Sequence, residues 1–277
     1  MQAAKRKLWI TFGLVVIVYL IAMVFPFFWV FITSFKTSGE IFGTGAFRVI
    51  PKEPTLHNYI TVLFEKNILN SIKNSLIVAT TTTVYIIVVA TFSAYAISRF
   101  QFRGKNILLG LVLAVSMFPQ MVIIGPVYNL FEQLKWLNSF AVVLPYSTIT
   151  LPMAVWILVT HFNQIPMALE ESAKMDGATS FQTLYKIIFP LAAPGVFTTA
   201  IITFISAWNE FLLTITLNPN AEYHTVPVGI SFLRTQFEIL WGQVSAATVI
   251  VTIPTLIIVL IFQRQIVSGL TSGGVKE

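Results

Sequence analysis

Three histidines, eleven acidic residues and no cysteine are the whole supply of imidazole, carboxylate and thiol groups in this 277-residue chain. Hydrolytic or metal-assisted chemistry needs a nucleophile with a base beside it, or a cluster of ligands. His57, His161 and His224 instead stand alone in different segments. The absence of cysteine excludes disulfides, thiolate metal sites and cysteine catalysis. The phosphate-binding pattern G-x-x-x-x-G-K-[ST] is missing, because Gly104-Lys105, the one Gly-Lys pair, lacks both the first glycine and the following Ser or Thr. The chain is therefore expected to bind no cofactor or metal of its own and to be non-catalytic. Polar groups that can still do work gather in two places. One is residues 170–190, EESAKMDGATSFQTLYKIIFP, and the other is Trp208-Asn209-Glu210-Phe211 inside an apolar run.

The elements that must carry these groups follow from composition. The chain is 56% hydrophobic and 10% charged, with a mean hydropathy of +0.81. Soluble domains carry about 25% charged residues, so the fold class is an all-α membrane protein. The net charge of +6 does not indicate nucleic acid, because the 17 basic residues are scattered through short loops. Such an excess sets orientation and meets anionic lipid.

A helix needs about 20 apolar residues to cross a roughly 30 Å hydrocarbon core. Six stretches qualify within a single domain, 1–277: Leu8–Ile32, Ser75–Ile97, Ile107–Phe131, Phe140–Phe162, Gly195–Leu217 and Val244–Phe262. The first follows Lys5, Arg6 and Lys7, but its apolar run is too long for a signal peptide and no small-x-small cleavage site follows it. Pro26, Pro119, Pro126, Pro145, Pro152 and Pro254 are expected as ordinary kinks re-satisfied by neighbouring helices. The Thr80–Thr83 run is expected to be close helix packing with back-bonded hydroxyls.

Ten of the 17 basic residues fall on the N-terminal side of the membrane if the N terminus is cytoplasmic. The short loop Arg99-Phe100-Gln101-Phe102-Arg103-Gly104-Lys105 holds no acid. The positive-inside rule then gives an N-in, C-in chain. The outer loops, about 33–74 and 218–243, carry proline, asparagine and aromatics, which suits either a surface for another protein or plain connections.

That orientation places residues 163–194 in the cytoplasm. Pro166 suits a first helical turn, with Met167, Leu169, Ala173 and Met175 as apolar contacts and Glu170 and Glu171 early, where the macrodipole favours acids. Asp176-Gly177 signals a turn. Ser180 is expected to cap a second helix, Phe181 to Phe189, with Phe181, Leu184 and Ile188 on one face and Pro190 and Pro194 as stops. An amphipathic pair of this kind meets lipid headgroups, the protein's own loops or a partner protein. Lipid is the weakest of these, because acids lead the first helix.

Glu210 stands out because a carboxylate inside a span costs roughly 2.5–3.5 kcal/mol unless it is paired or faces a polar cavity. It is either a pathway or gating group beside Asn209, or a structural acid bonded to a neighbouring helix. Trp208 and Trp156 are either surfaces for sugar rings or core and interface aromatics.

The polar segment resembles the EAA loop of inner-membrane permease subunits of ABC importers, which reads E-A-A, three residues, G, nine residues, I-x-L-P. Here Glu171-Ser172-Ala173 precedes Lys174-Met175-Asp176 and Gly177, and Ile187-Ile188-Phe189-Pro190 closes the pattern. Ser172 and Phe189 are the departures. Four further segments resemble the carbohydrate-uptake branch and its maltose-type second permease subunit. They are Pro26-Phe27-Phe28-Trp29 through Ser34-Phe35-Lys36, Pro54-Thr55-Leu56-His57-Asn58-Tyr59, Trp208-Asn209-Glu210-Phe211, and the tail Gly269-Leu270-Thr271-Ser272-Gly273-Gly274-Val275-Lys276.

The resemblance implies a type I importer permease fold in a bacterial or archaeal cytoplasmic membrane, with a coupling helix between the fourth and fifth spans. It implies a second homologous permease chain, an ATPase homodimer holding ATP and magnesium, an extracytoplasmic solute-binding protein and a sugar substrate. Glu171, Ser172, Ala173, Asp176, Gly177, Ile187 and Pro190 would then serve ATPase coupling. The tail, with Gly269, Leu270, Thr271, Gly273 and Gly274, would follow the last span as a flexible segment at the ATPase interface. Trp208, Asn209 and Glu210 would lie on the pathway or its gate. A self-sufficient secondary transporter, or a permease for glycerol phosphate, is the alternative. Against the former, no internal repeat is visible and Glu210 alone sits clearly inside a span.

Overall fold

A computed structural model describes residues 2–234 and 238–271, in which helices are joined by turns and loops with no strand among them. Among the described residues, four helices are long and apolar enough to cross a membrane: Trp9–Thr33 (within α1, Gln2–Thr33), Ile68–Arg99 (α2), Phe140–Gln164 and Trp241–Gln263. Two bent helix pairs bring the number of spans to six if each pair counts as one.

The first pair corrects the expected continuous helix Ile107–Phe131. It consists of Lys105–Ser116 (α3) and Gln120–Gln133 (α4), bent by 90°. Pro119 causes the break: its ring disfavours helical backbone at Phe118, and its own ψ of 127° is extended. Pro26, Pro126, Pro152 and Pro254 sit inside helices as expected.

The chain divides into two compact units. The larger, residues 69–229 and 255–277, carries the polar segments singled out above. Its fourth span is Val143–Gln164 (α5), entered through a short turn at Phe140–Val142. The polar segment follows as Met167–Met175 (α6) and Ser180–Leu191 (α7). Ala193–Trp208 (α8) comes next, bent 79° from α7. The expected span Gly195–Leu217 is interrupted after Trp208 and resumes as Leu212–Leu217 (α9).

The core of this unit joins α2, α5, α7 and α8 through Ile86, Ala90, Leu158, Phe162, Leu184, Ile188 and Val196, all buried. Small residues let these helices approach closely, as membrane packing requires. A Cβ at Gly195 would stand 2.4 Å from the His161 ring, so the otherwise isolated histidine is packed against bare backbone. In the threonine run, Thr83 Oγ1 donates to the Ala79 carbonyl at 2.7 Å, the expected back-bond, whereas the buried Thr82 Oγ1 has no partner among the described residues, so the expectation does not extend to it.

The smaller unit, residues 1–68 and 230–254, contains α1 and the first part of Trp241–Thr271 (α10). Two of the quoted sequence motifs are explained here. Asn58 Nδ2 donates to the carbonyls of Ser34 (3.0 Å) and Lys36 (2.9 Å), and Ser34 Oγ lies 2.7 Å from the Tyr59 hydroxyl. Lys36 is buried, donates to the Ala46 carbonyl at 2.8 Å and covers the Trp29 ring. The Ser34-Phe35-Lys36 and His57-Asn58-Tyr59 segments are thus two halves of one tie.

Candidate functional site

The polar segment is built as a helix, a sharp turn and a second helix. Pro166 caps α6 with extended backbone (ψ 134°) rather than entering its first turn. At the far end Ala178 N–H donates to the Ala173 carbonyl (2.9 Å) and Gly177 N–H to that of Lys174 (3.0 Å), the two bonds of a Schellman motif. That motif requires a left-handed residue, and Gly177 supplies it with φ +82°.

The cap of α7 is Thr179, one residue before the expected Ser180. Gln182 N–H donates to Thr179 Oγ1 and Thr179 N–H to Gln182 Oε1, a full capping box. Pro190 does not stop α7. The turn Leu184–Ile188 just before it is widened, with Phe189 N–H reaching back to the Leu184 carbonyl. A widened turn relieves the clash a proline makes with the carbonyl four residues earlier. Pro194 likewise sits in the first turn of α8 instead of ending α7.

The faces of α6 also differ from expectation. Met167, Leu169 and Met175 are exposed, the last at 89%, while Glu170 and Ala173 are buried. Glu171, Ser172, Asp176 and Gly177 face outward with the methionines. In α7, Leu184 and Ile188 are buried, Ile187 is half-buried, and Phe181 and Pro190 are exposed, Phe181 stacking on Phe92 with centroids 6.4 Å apart. The result is an outward helix whose solvent side combines acid, hydroxyl and thioether groups.

Glu170 is the site residue that the sequence did not mark. Its Oε1 accepts from Arg99 Nε, and its Oε2 from the Tyr95 hydroxyl at 3.3 Å. Arg99 Nη2 also donates to the Ile165 carbonyl at 3.0 Å, the residue that ends α5. Both charged side chains are at most 5% exposed.

The second polar cluster splits. Trp208 is buried and stacks on Phe204 at 5.8 Å, so it presents no free ring face for a sugar. Glu210 is buried in the break after α8. Its carboxylate accepts from Leu213 N–H (2.7 Å), Thr214 N–H (3.2 Å) and Thr214 Oγ1 (3.4 Å). It therefore satisfies the orphan amides of α9, the role an acid plays at a helix start. Asn209 is exposed and lines an open cavity of about 390 Å³ with Gln120, Tyr146, Thr150, Ser206 and Phe211.

At the opposite end of α2, Asn74 Nδ2 donates to the Glu222 (2.7 Å) and His224 (3.0 Å) carbonyls, and Val226 N–H donates to Ser75 Oγ (2.8 Å). Burial holds the His224 imidazole below its ordinary pKa of 6.5, against a smaller upward pull from the Pro219 backbone. In the tail, Gly269, Leu270 and Thr271 continue α10 instead of leaving it as a loose segment. Gly273 and Gly274 lie outside the described residues.

Comparison with known proteins bears on this arrangement. Residues 86–272 match the family described as binding-protein-dependent transport system inner membrane component. The chain is 40% identical over 260 residues to the trehalose/maltose transport system permease protein of Thermococcus litoralis, covering 92% of each chain. It is 38% identical over the full length of both chains to the trehalose transport system permease protein of Mycobacterium tuberculosis. Its fold matches a chain in the crystal structure of a bacterial ABC transporter that imports the acidic polysaccharide alginate. The TM-score is 0.81 at 21% identity, covering 94% of this chain and 97% of that one. With the family pattern spanning α2 to α10 and relatives aligned nearly end to end, the chain belongs to the binding-protein-dependent inner-membrane components of ABC transporters, multi-pass proteins of the cytoplasmic membrane.

Proposed function

We propose that this chain is the non-catalytic permease subunit of an ATP-driven sugar importer, N-in and C-in, with α6 as its coupling helix. It pairs with a second, homologous permease chain, takes sugar from an extracytoplasmic binding protein, and rests on two ATPase chains that hold ATP and magnesium. The observation that carries the reading is the outward face of α6. Glu171, Ser172, Met175, Asp176 and Gly177 are exposed on a helix that Glu170 and Ala173 anchor from behind. A polar and thioether surface on a short, fixed helix suits a cleft in a partner protein better than a lipid surface.

ATP binding draws the ATPase chains together and carries α6 with them. The movement turns the pathway outward to receive sugar, and hydrolysis resets it. Packed helices switch between discrete arrangements, which makes such rigid-body transmission effective. Asn209, Ser206 and Gln120 are this chain's pathway groups, because they line the open cavity and carry amide and hydroxyl groups able to exchange hydrogen bonds with a passing sugar, although Asn209 Nδ2 already donates to the Ile205 carbonyl at 2.8 Å. Glu210 supports that wall by capping α9.

The test is Glu171→Ala in the complete complex, with ATPase co-purification and sugar uptake measured together. Loss of the ATPase or of uptake, with both permease chains still assembled, supports the reading. Normal co-purification and normal uptake overturn it.

A further inference from the structure

Adjacent glutamates on α6 meet different surroundings: Glu171 is exposed, and Glu170 is in a buried pair with Arg99. Resting on the coupling-helix reading, we propose that Arg99, Glu170 and Tyr95 form a pin that makes α6 and α2 move as one body. On this proposal Arg99 and Glu170 are positioning residues for coupling.

The attachment of α6 to its own chain is otherwise slight. Met167, Leu169 and Met175 are exposed, and Ala173 is the apolar side chain of α6 that is buried. In contrast, α7 is rooted in the core by Leu184 and Ile188. Beyond its backbone joins to α5 and α7 and the buried Ala173, α6 is therefore tied inward through the Glu170 carboxylate. Both of its oxygens are held by α2, from Tyr95 and Arg99, one turn apart on the same face. Arg99 also grips the Ile165 carbonyl, at the joint between α5 and α6. A planar guanidinium that bonds two elements at once fixes their angle, which an ammonium cannot do.

The other end of α2 gives the pin a destination. About 38 Å of helix, at 1.5 Å per residue, separates Arg99 from Asn74. There Asn70, Asn74 and Ser75 hold the backbone of Glu222, His224 and Val226. So α2 joins the ATPase-facing helix to the loop on the far side of the membrane, through polar contacts at both ends. Displacement of α6 is delivered to that loop without passing through the pathway itself.

The experiment uses the complete complex with Glu170→Gln and Arg99→Gln, the charge exchange Arg99→Glu with Glu170→Arg, and Glu171→Ala as reference. Three quantities are read: ATPase retained on purification, basal hydrolysis, and hydrolysis stimulated by sugar-loaded binding protein. The pin predicts that Glu170→Gln and Arg99→Gln retain the ATPase and basal hydrolysis but lose stimulation and uptake by about ten-fold, within the ordinary range of coupling between sites. Partial recovery in the charge exchange is expected. Full stimulation and uptake in both single variants overturn the pin, even where Glu171→Ala loses the ATPase and so upholds the coupling helix. A harmless Glu171→Ala sinks the coupling-helix reading itself. If the glutamine variants fail to assemble, Tyr95→Phe and Arg99→Lys carry the test, since each removes one bond and leaves the carboxylate paired. Unchanged stimulation in both then refutes the proposal.

Discussion

Replacing Gly177 by alanine isolates backbone strain at the end of α6. The residue has φ +82°, and a Cβ built there meets nothing of this chain within 4 Å. The cost within the chain is therefore conformational alone, about 1–2 kcal/mol for an ordinary L residue in left-handed backbone. Asparagine enters that region more readily, because its side chain bonds locally. If strain shifts the turn away from its Schellman geometry, the fraction of chains presenting α6 correctly falls, and apparent affinity for the ATPase falls with it. At 1.4 kcal/mol per factor of ten, the alanine variant should bind the ATPase about 5- to 30-fold more weakly, and the asparagine variant distinctly less so. Titration of purified ATPase onto permease complexes in nanodiscs measures both. Equal losses for alanine and asparagine would refute the strain argument and implicate contact of the partner with the bare glycine. Wild-type binding by Gly177→Ala would refute any need for the left-handed turn.

Three further outcomes are expected. Glu210→Ala leaves the Leu213 and Thr214 amides without their acceptor and should destabilise the subunit by about 2–6 kcal/mol, at about 1–3 per unsatisfied buried group. Glu210→Gln should lose about half as much and keep uptake in chemical-unfolding and transport assays; selective loss of uptake at full stability would return Glu210 to a gating role. Asn209→Ala should impair sugar uptake while thermal stability stays within about 0.5 kcal/mol, the usual range for a surface change. His224 has a depressed pKa in the folded chain, so its contribution is complete above its ordinary 6.5 and is lost as pH falls through the lower folded value. The Tm of the complex should drop from pH 7 to pH 5, and His224→Gln should flatten that slope.

The parts of the site governed by local chemistry were legible in the sequence. Asp176-Gly177 marked the turn because only a residue tolerant of positive φ ends a helix that way, and the structure places Gly177 there. The cap was misread by one residue, although Thr179 with Gln182 three positions later is itself a capping-box signature. Pro119 could have divided the third span, since the residue before a proline resists helix; apolar run length hid the break. The interruption after Trp208 is harder to read, because hydropathy reports burial and not continuity. Glu170 was beyond reach: its partner lies 71 residues away, and nothing local tells an inward acid from its outward neighbour. The methionines of α6 misled for the same reason, since residue type alone does not say which face of a short helix is covered.

The central claim is that the exposed face of α6 meets the ATPase. The chain has no cysteine, so a single thiol at Met175, 89% exposed, is a unique probe, and a thiol at Phe47, 91% exposed in the smaller unit, is its control. Photo-cross-linking of the assembled complex, after labelling the introduced thiol with a benzophenone maleimide whose excited carbonyl inserts into any C–H bond within reach, is the most direct measurement. The expected result is a covalent adduct between the Met175→Cys chain and the ATPase, with none from Phe47→Cys. No adduct from Met175→Cys in an intact complex, or an ATPase adduct from Phe47→Cys, would contradict it.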